Sequence, residues 1–175
     1  SSDLGKFIIL RLIYPHQYMK YCRQPLEKNK VIFLEVRGCA IGNSMREIYR
    51  RVSSDPSYNI SCHFLMEGIG SRRETFVRTK ALLKDMATAE YVFLSEANHA
   101  FACFEKRPET KVIQLWHGCG AFKKFGLSTA ELKFGSDSSQ QRKYPLYRNL
   151  DLITVSSPEV IWAYREAMGV EEEKI

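Results

Sequence analysis

Val112-Ile113-Gln114-Leu115-Trp116-His117-Gly118-Cys119-Gly120-Ala121-Phe122-Lys123-Lys124-Phe125-Gly126 begins as an apolar run and ends as a glycine-broken loop carrying two lysines. A short stretch of apolar and β-branched residues bounded by turn formers reads as a buried strand. Gly118 and Gly120 open backbone conformations closed to other residues, so the strand ends and a turn begins at His117. In open α/β sheets ligands bind outside the carboxyl ends of the strands, where the loops converge on a crevice. Imidazole, with an unperturbed pKa of about 6.5, is the side chain best matched to proton transfer near neutral pH. Lys123 and Lys124 follow at once and offer positive charge to an anion near the ring. A base beside a cationic loop suits the movement of a phosphorylated group onto a hydroxyl.

Upstream, the pattern supplies more strands with glycine turns between them. Residues 25–30 read as a polar connector, and residues 31–37 have the continuous apolar character of a central parallel strand. Gly38 and Gly42 bracket a turn, and Asn43 or Ser44 is placed to N-cap a helix over about 45–52. A glycine turn leading into a helix can hold a phosphate, which makes Asn43 a candidate contact. The Gly38-x-x-x-Gly42 spacing matches neither dinucleotide nor Walker fingerprints, and a plain tight turn is the commoner meaning. Residues 59–66 form a second strand, in which His63, among apolar neighbours, is assigned a structural role. Ser71 caps a helix reaching about Thr88, with Phe76, Ala81, Leu82, Leu83 and Met86 inward and Arg72, Arg73, Arg78, Lys80 and Lys84 in water. Residues 89–96 are a third strand. Glu96, at its carboxyl end, is a candidate to orient a hydroxyl or the His117 imidazole.

Downstream, residues 127–134 predict a short helix capped by Ser128 or Thr129, and residues 135–143, polar and aperiodic, predict a mobile loop bordering the cleft. Residues 151–156 are a further strand, and Ser157-Pro158 is a strong helix start for a helix reaching about Met168. Ser156 and Ser157 therefore lie at a strand end and a helix N-terminus, a candidate anion site. Strands alternating with helices predict an α/β fold, a Rossmann-like parallel sheet with helices on both faces.

At 175 residues, 45% hydrophobic and 12% aromatic, the chain suffices for one domain with a sizeable core. A formal net charge of +6 favours an anionic partner. Nucleic acid is not expected, because neither aromatics interleaved with basic residues on one face nor a recognition helix is present. Five cysteines without a Cys-x-x-Cys pair suit free thiols in a reducing cytoplasm. His99, Cys103, His117 and Cys119 are ligand types that zinc prefers, but they lack finger or ribbon spacing, and no metal or other cofactor is assigned. Residues 1–30 are set apart as an amino-terminal helical segment, with the domain proper at 31–175. Within that segment residues 4–14 are apolar, too short to span a bilayer, interrupted by Lys6 and Arg11 and closed by Pro15. They suit either an interfacial helix or, more commonly for such a stretch, a helix packed on the domain's own sheet. A start at Ser1 is expected of an excised or processed piece.

Trp116-His117-Gly118-Cys119-Gly120-Ala121-Phe122-Lys123-Lys124-Phe125-Gly126 resembles the Trp-His-Gly, Lys-Lys, Gly signature of the CDP-glycerol glycerophosphotransferase family, the teichoic-acid primases and polymerases and their capsule-polymer relatives. Weaker likeness extends over most of the chain from about Asn29 onward, through residues 43–49, 89–96 and 155–175. The resemblance implies the amino-terminal, acceptor-side domain of a two-domain GT-B-type transferase, with the nucleotide-binding half outside this chain. It further implies a CDP-glycerol or CDP-ribitol donor, and as acceptor a polyprenyl-linked glycan or polyol phosphate at the inner face of the cell membrane, with peripheral membrane contact. His117 would be the general base, assisted by Glu96. Gly118, Gly120, Lys123, Lys124, Asn43, Ser156 and Ser157 would contact substrate.

Overall fold

The structure, a computed structural model, describes residues 3–130, 132 and 138–175. Its axis is β1, Glu27–Glu35, which pairs in parallel with β2, Asn59–Phe64, on one side and with β3, Ala89–Leu94, on the other. Next to β3 lies β4, Lys111–Gln114, and then the two-residue β5, Leu152–Ile153, giving the order β2-β1-β3-β4-β5 with every pairing parallel.

The unbroken apolar run in β1 follows from burial on both sides of the sheet. Val31 and Phe33 face α3, Asn43–Ser53, with the Tyr49 ring set edge-on to Phe33. Ile32 and Leu34 face the larger core, built with Leu82, Leu83 and Met86 of α4, Arg72–Met86, and with Tyr164 and Met168 of α6, Ile161–Met168. A side-chain period of two therefore feeds two different cores from one strand. As expected, Ser71 caps α4, here in a reciprocal capping box with Glu74. Thr79 rather than Ala81 completes its inward face, and the Thr79 hydroxyl is satisfied by the Thr75 carbonyl at 2.7 Å.

Expectations change at the amino-terminal end. The polar connector at residues 25–30 is already strand from Glu27, because its charge finds partners. The buried Lys30 ammonium reaches Asp85 at 2.6 Å, Glu27 at 3.1 Å and the Thr88 hydroxyl at 2.8 Å. The amino-terminal segment is a continuous helical run, α1 Asp3–Ile8, a π-helical turn Ile9–Ile13 and α2 Tyr14–Tyr21, with Leu10, Tyr14 and Tyr18 in the larger core. Pro15 does not close it. The widened turn directly ahead accommodates a residue with no amide proton to donate.

Downstream, Gly126–Thr129 is a 3-10 turn, begun by Phe125 without a side-chain cap. Part of the expected loop is α5, Ser138–Lys143, tied to the amino-terminal helix by Arg11 donating to the Lys143 carbonyl. The remainder of the predicted 127–134 helix and of the loop, at residues 131 and 133–137, lies outside the described residues. The 3-10 turn Pro158–Val160 precedes α6, and Gly169 ends α6 at φ +62°.

Candidate active site

The chain passes from β1 to β2 on one side of the sheet and returns to β3 on the other, so the strand order reverses at β1 and β3. Loops leaving the carboxyl ends of those two strands diverge there and open a crevice. Glu35, the last residue of β1, is buried in it and accepts from the Gly42 amide and from the Ser95 hydroxyl, each at 2.7 Å. Its carboxylate thus joins the start of α3 to the end of β3. Gly42, not Asn43 or Ser44, is the N-cap residue of α3, and having no side chain it leaves the helix without a side-chain cap, while its own amide is taken by Glu35. A carboxylate held there repels a second anion. Asn43 itself is exposed on the first turn.

His117 is carried to the same crevice from β4. After Gln114 the Leu115 amide still donates to the Leu94 carbonyl at 2.8 Å, and then Trp116 takes φ +61°. This left-handed conformation costs a bulky L-residue roughly 1–2 kcal/mol. Packing holds it, since the indole lies against Phe125 at 5.0 Å and Tyr164 at 5.8 Å between ring centroids. The reversal turns His117 out of the sheet, exposed, with its ring 4.3 Å from the indole. His117 Nδ1 lies 3.5 Å from the Ser95 carbonyl. A carbonyl only accepts, so a hydrogen bond here requires the tautomer that carries its proton on Nδ1, in which Nε2 is the accepting nitrogen.

Glu96, next to Ser95, pairs with Arg37 at 3.4 Å. The His117 contact in this direction is therefore to the Ser95 backbone. Gly120 takes φ +72°, donates to the Ser156 hydroxyl at 3.0 Å and accepts from Tyr164 at 3.4 Å, which pins the loop to the β5 end and α6. Ser157 is engaged locally, its hydroxyl accepting from the Glu159 amide and bonding the Glu159 carboxylate. Gly118, Lys123 and Lys124 are exposed along the loop. The structure thus gathers His117, Glu96, Gly120 and Ser156 around strand ends, while Asn43 and Ser157 sit at helix starts that already have an acidic partner.

Glu35, Ser95 and Arg37 are residues of the crevice that sequence reasoning passed over. A carboxylate closing an otherwise apolar strand was their one visible sign. Among the described residues no group of three or more His, Cys, Asp or Glu side chains is placed to hold a metal ion. Cys103 donates to the His99 carbonyl at 2.8 Å, its thiol pushed up to about 12 chiefly by burial.

A five-stranded parallel sheet with an outward imidazole at its switch point defines an α/β domain of the Rossmann-like class. The chain belongs to the CDP-glycerol:poly(glycerophosphate) glycerophosphotransferase family, whose profile matches residues 16–175. It is 32% identical over 153 residues to the teichoic acid ribitol-phosphate primase of Bacillus spizizenii, covering 86% of this chain and 39% of that protein. With the teichoic acid ribitol-phosphate polymerase TarK of Staphylococcus aureus it shares 34% identity over 128 residues, 71% of this chain and 23% of TarK. The fold is similar to that of the wall teichoic acid polymerase TagF, with a TM-score of 0.69 at 15% identity, over 98% of this chain and 45% of that one. The chain therefore spans less than half the length of these relatives. The family is one of polyol-phosphate transferases of teichoic acid and cell-wall biosynthesis, as the sequence resemblance implied.

Proposed function

We propose that this chain is the acceptor-side domain of a GT-B-type transferase that moves glycerol phosphate or ribitol phosphate from a CDP-polyol to a hydroxyl of a membrane-linked teichoic-acid or capsule acceptor. The observation that carries this reading is the outward-facing His117 ring with Nδ1 against the Ser95 carbonyl. Nε2 takes the proton as the acceptor oxygen attacks the β-phosphorus. A bond forms from that oxygen to phosphorus, the bond from phosphorus to the bridging oxygen breaks, and CMP leaves with the electron pair. The donor nucleotide sits chiefly on the second half of the transferase, across a cleft from His117. Glu96 and Arg37, as a pair, line the acceptor approach. Lys123 and Lys124 meet phosphate charge only when the cleft is occupied.

The acceptor is lipid-linked, and the amino-terminal helix suits a peripheral role at the inner membrane face. Leu4, Leu12 and Met19 are 66%, 56% and 64% exposed, with Lys20 and Arg23 also in solvent. Among the described residues no helix is long and apolar enough to cross a membrane.

The test replaces His117 in the full-length transferase. His117→Ala lowers turnover by ~10²–10⁴ while the melting temperature stays put, as expected of an exposed general base. His117→Gln keeps a polar side chain but cannot take the proton, and is as poor as alanine. Glutamine restoring most of the rate would make His117 a positioning group and refute its role as base.

A further inference from the structure

The loop that starts at His117 ends at Gly126, on the wall of a cavity of about 880 Å³, within the usual size for small-ligand sites. Gly126 has φ +54°, and a Cβ there would lie 2.2 Å from the Ala167 carbonyl oxygen and 3.2 Å from the Tyr147 hydroxyl. The wall is thus clamped against α6. Among the described residues Lys6, Arg142, Arg148 and Lys174 line the cavity, with Glu171 as the acidic one.

Lys6 stands 4.6 Å from the centroid of the Tyr144 ring, itself buried and part of the lining, while Arg11 and Lys143, outside the lining, lie 5.5 Å from the same ring and add positive charge on that side. Arg148 meets Glu105 in an exposed pair at 3.5 Å, an interaction worth little. Lys174 donates to the Leu150 carbonyl at 3.0 Å, a neutral partner. Like charges drawn together in a concave, partly apolar site repel one another and focus a positive field, and an anion relieves that repulsion. Tyr147 ties the cavity to the crevice, because the Glu96 carboxylate adds to the burial that pushes its phenol up to about 12.

We propose that this cavity binds a phosphate or diphosphate ester, and that in the transferase this ester is the anionic part of the acceptor, seated so that its hydroxyl end follows the 116–126 loop to His117. The acceptor role rests on the function proposed above. Anion binding by the cavity does not.

Two probes are titrated by calorimetry against the chain at low and raised salt: inorganic pyrophosphate and a short glycerol-phosphate oligomer. Each is repeated with Arg142→Glu plus Arg148→Glu, and with Arg72→Glu plus Arg73→Glu, exposed on α4 and identical in net-charge change. The expected result is at least tenfold weaker binding for the cavity variant and little change for the α4 variant. Pyrophosphate preferred over the oligomer assigns the site to a diphosphate link, and the reverse preference assigns it to a polyol-phosphate chain; both support the proposal. Absence of binding by either probe, or equal weakening by the two variants, overturns it. In the full-length transferase the cavity variant raises the acceptor KM and leaves the donor KM and saturated kcat in place. Unaltered acceptor KM removes the acceptor role. His117→Gln leaves probe binding intact, so the two proposals fail separately.

Discussion

Replacing Glu35 tests whether the crevice is organised by one buried carboxylate. Its oxygens accept from the Gly42 amide and the Ser95 hydroxyl, each at 2.7 Å, with the residue 7% exposed. Hydrogen bonds to a charged group contribute about 1.5–3 kcal/mol each, and neutral ones about 0.5–1.5. Glu35→Ala removes both and strands two donors, a loss of about 3–6 kcal/mol against a typical domain stability of roughly 5–15. Glu35→Gln can still accept from Gly42, and the Ser95 hydroxyl can turn to accept from the new amide, so two neutral bonds replace the charged pair and the loss falls to about 2–3 kcal/mol. Urea unfolding, read at constant m-value, measures both. The same bonds fix Ser95, whose carbonyl meets His117, so the His117 ring resonances shift in both variants while those of His63, anchored on Asp85 at 2.8 Å, do not. Equal losses below 1 kcal/mol for alanine and glutamine, with unmoved His117 resonances, would refute the carboxylate's role.

Asp85 receives Lys30 and His63, and these bonds outweigh the opposing effect of burial to hold its carboxyl well below the usual range. A depressed acid stabilises the fold above its unfolded pKa and loses that contribution as pH falls through the folded value, so stability declines below about pH 4. Asp85→Asn, leaving the Lys30 ammonium short of its partner, costs about 2 kcal/mol or more at neutral pH and flattens that acid limb, both read by urea titration across pH. An unchanged acid limb would exclude Asp85 as its source. For the amino-terminal helix, Leu4→Ser plus Leu12→Ser weakens binding to anionic vesicles with no loss of thermal stability, since both side chains are exposed, and salt weakens wild-type binding further. Vesicle binding that survives both changes would assign these residues no membrane role.

The sequence by itself determined the alternation of strands and helices, the Ser71 and Ser157 caps, and the place of His117 at a strand end. Those features depend on side-chain period, on cap chemistry and on glycine, which act over a few residues and so are written locally. Glu27–Lys30 read as a connector for the opposite reason, since the partners that let Lys30 be buried, Asp85 and Thr88, arrive from over fifty residues away. The same holds for Pro15, expected to stop a helix that the core contacts of Tyr14 and Tyr18 carry onward. Only the tertiary structure decided which strand ends meet. The crossover from β2 to β3 sets Ser95 beside Glu35 and under His117, residues 22 or more apart in sequence that no local pattern links. It also decided that Trp116 bears a left-handed backbone, because the aromatic packing from Phe125 and Tyr164 that holds this conformation exists only once α6 has docked on the sheet.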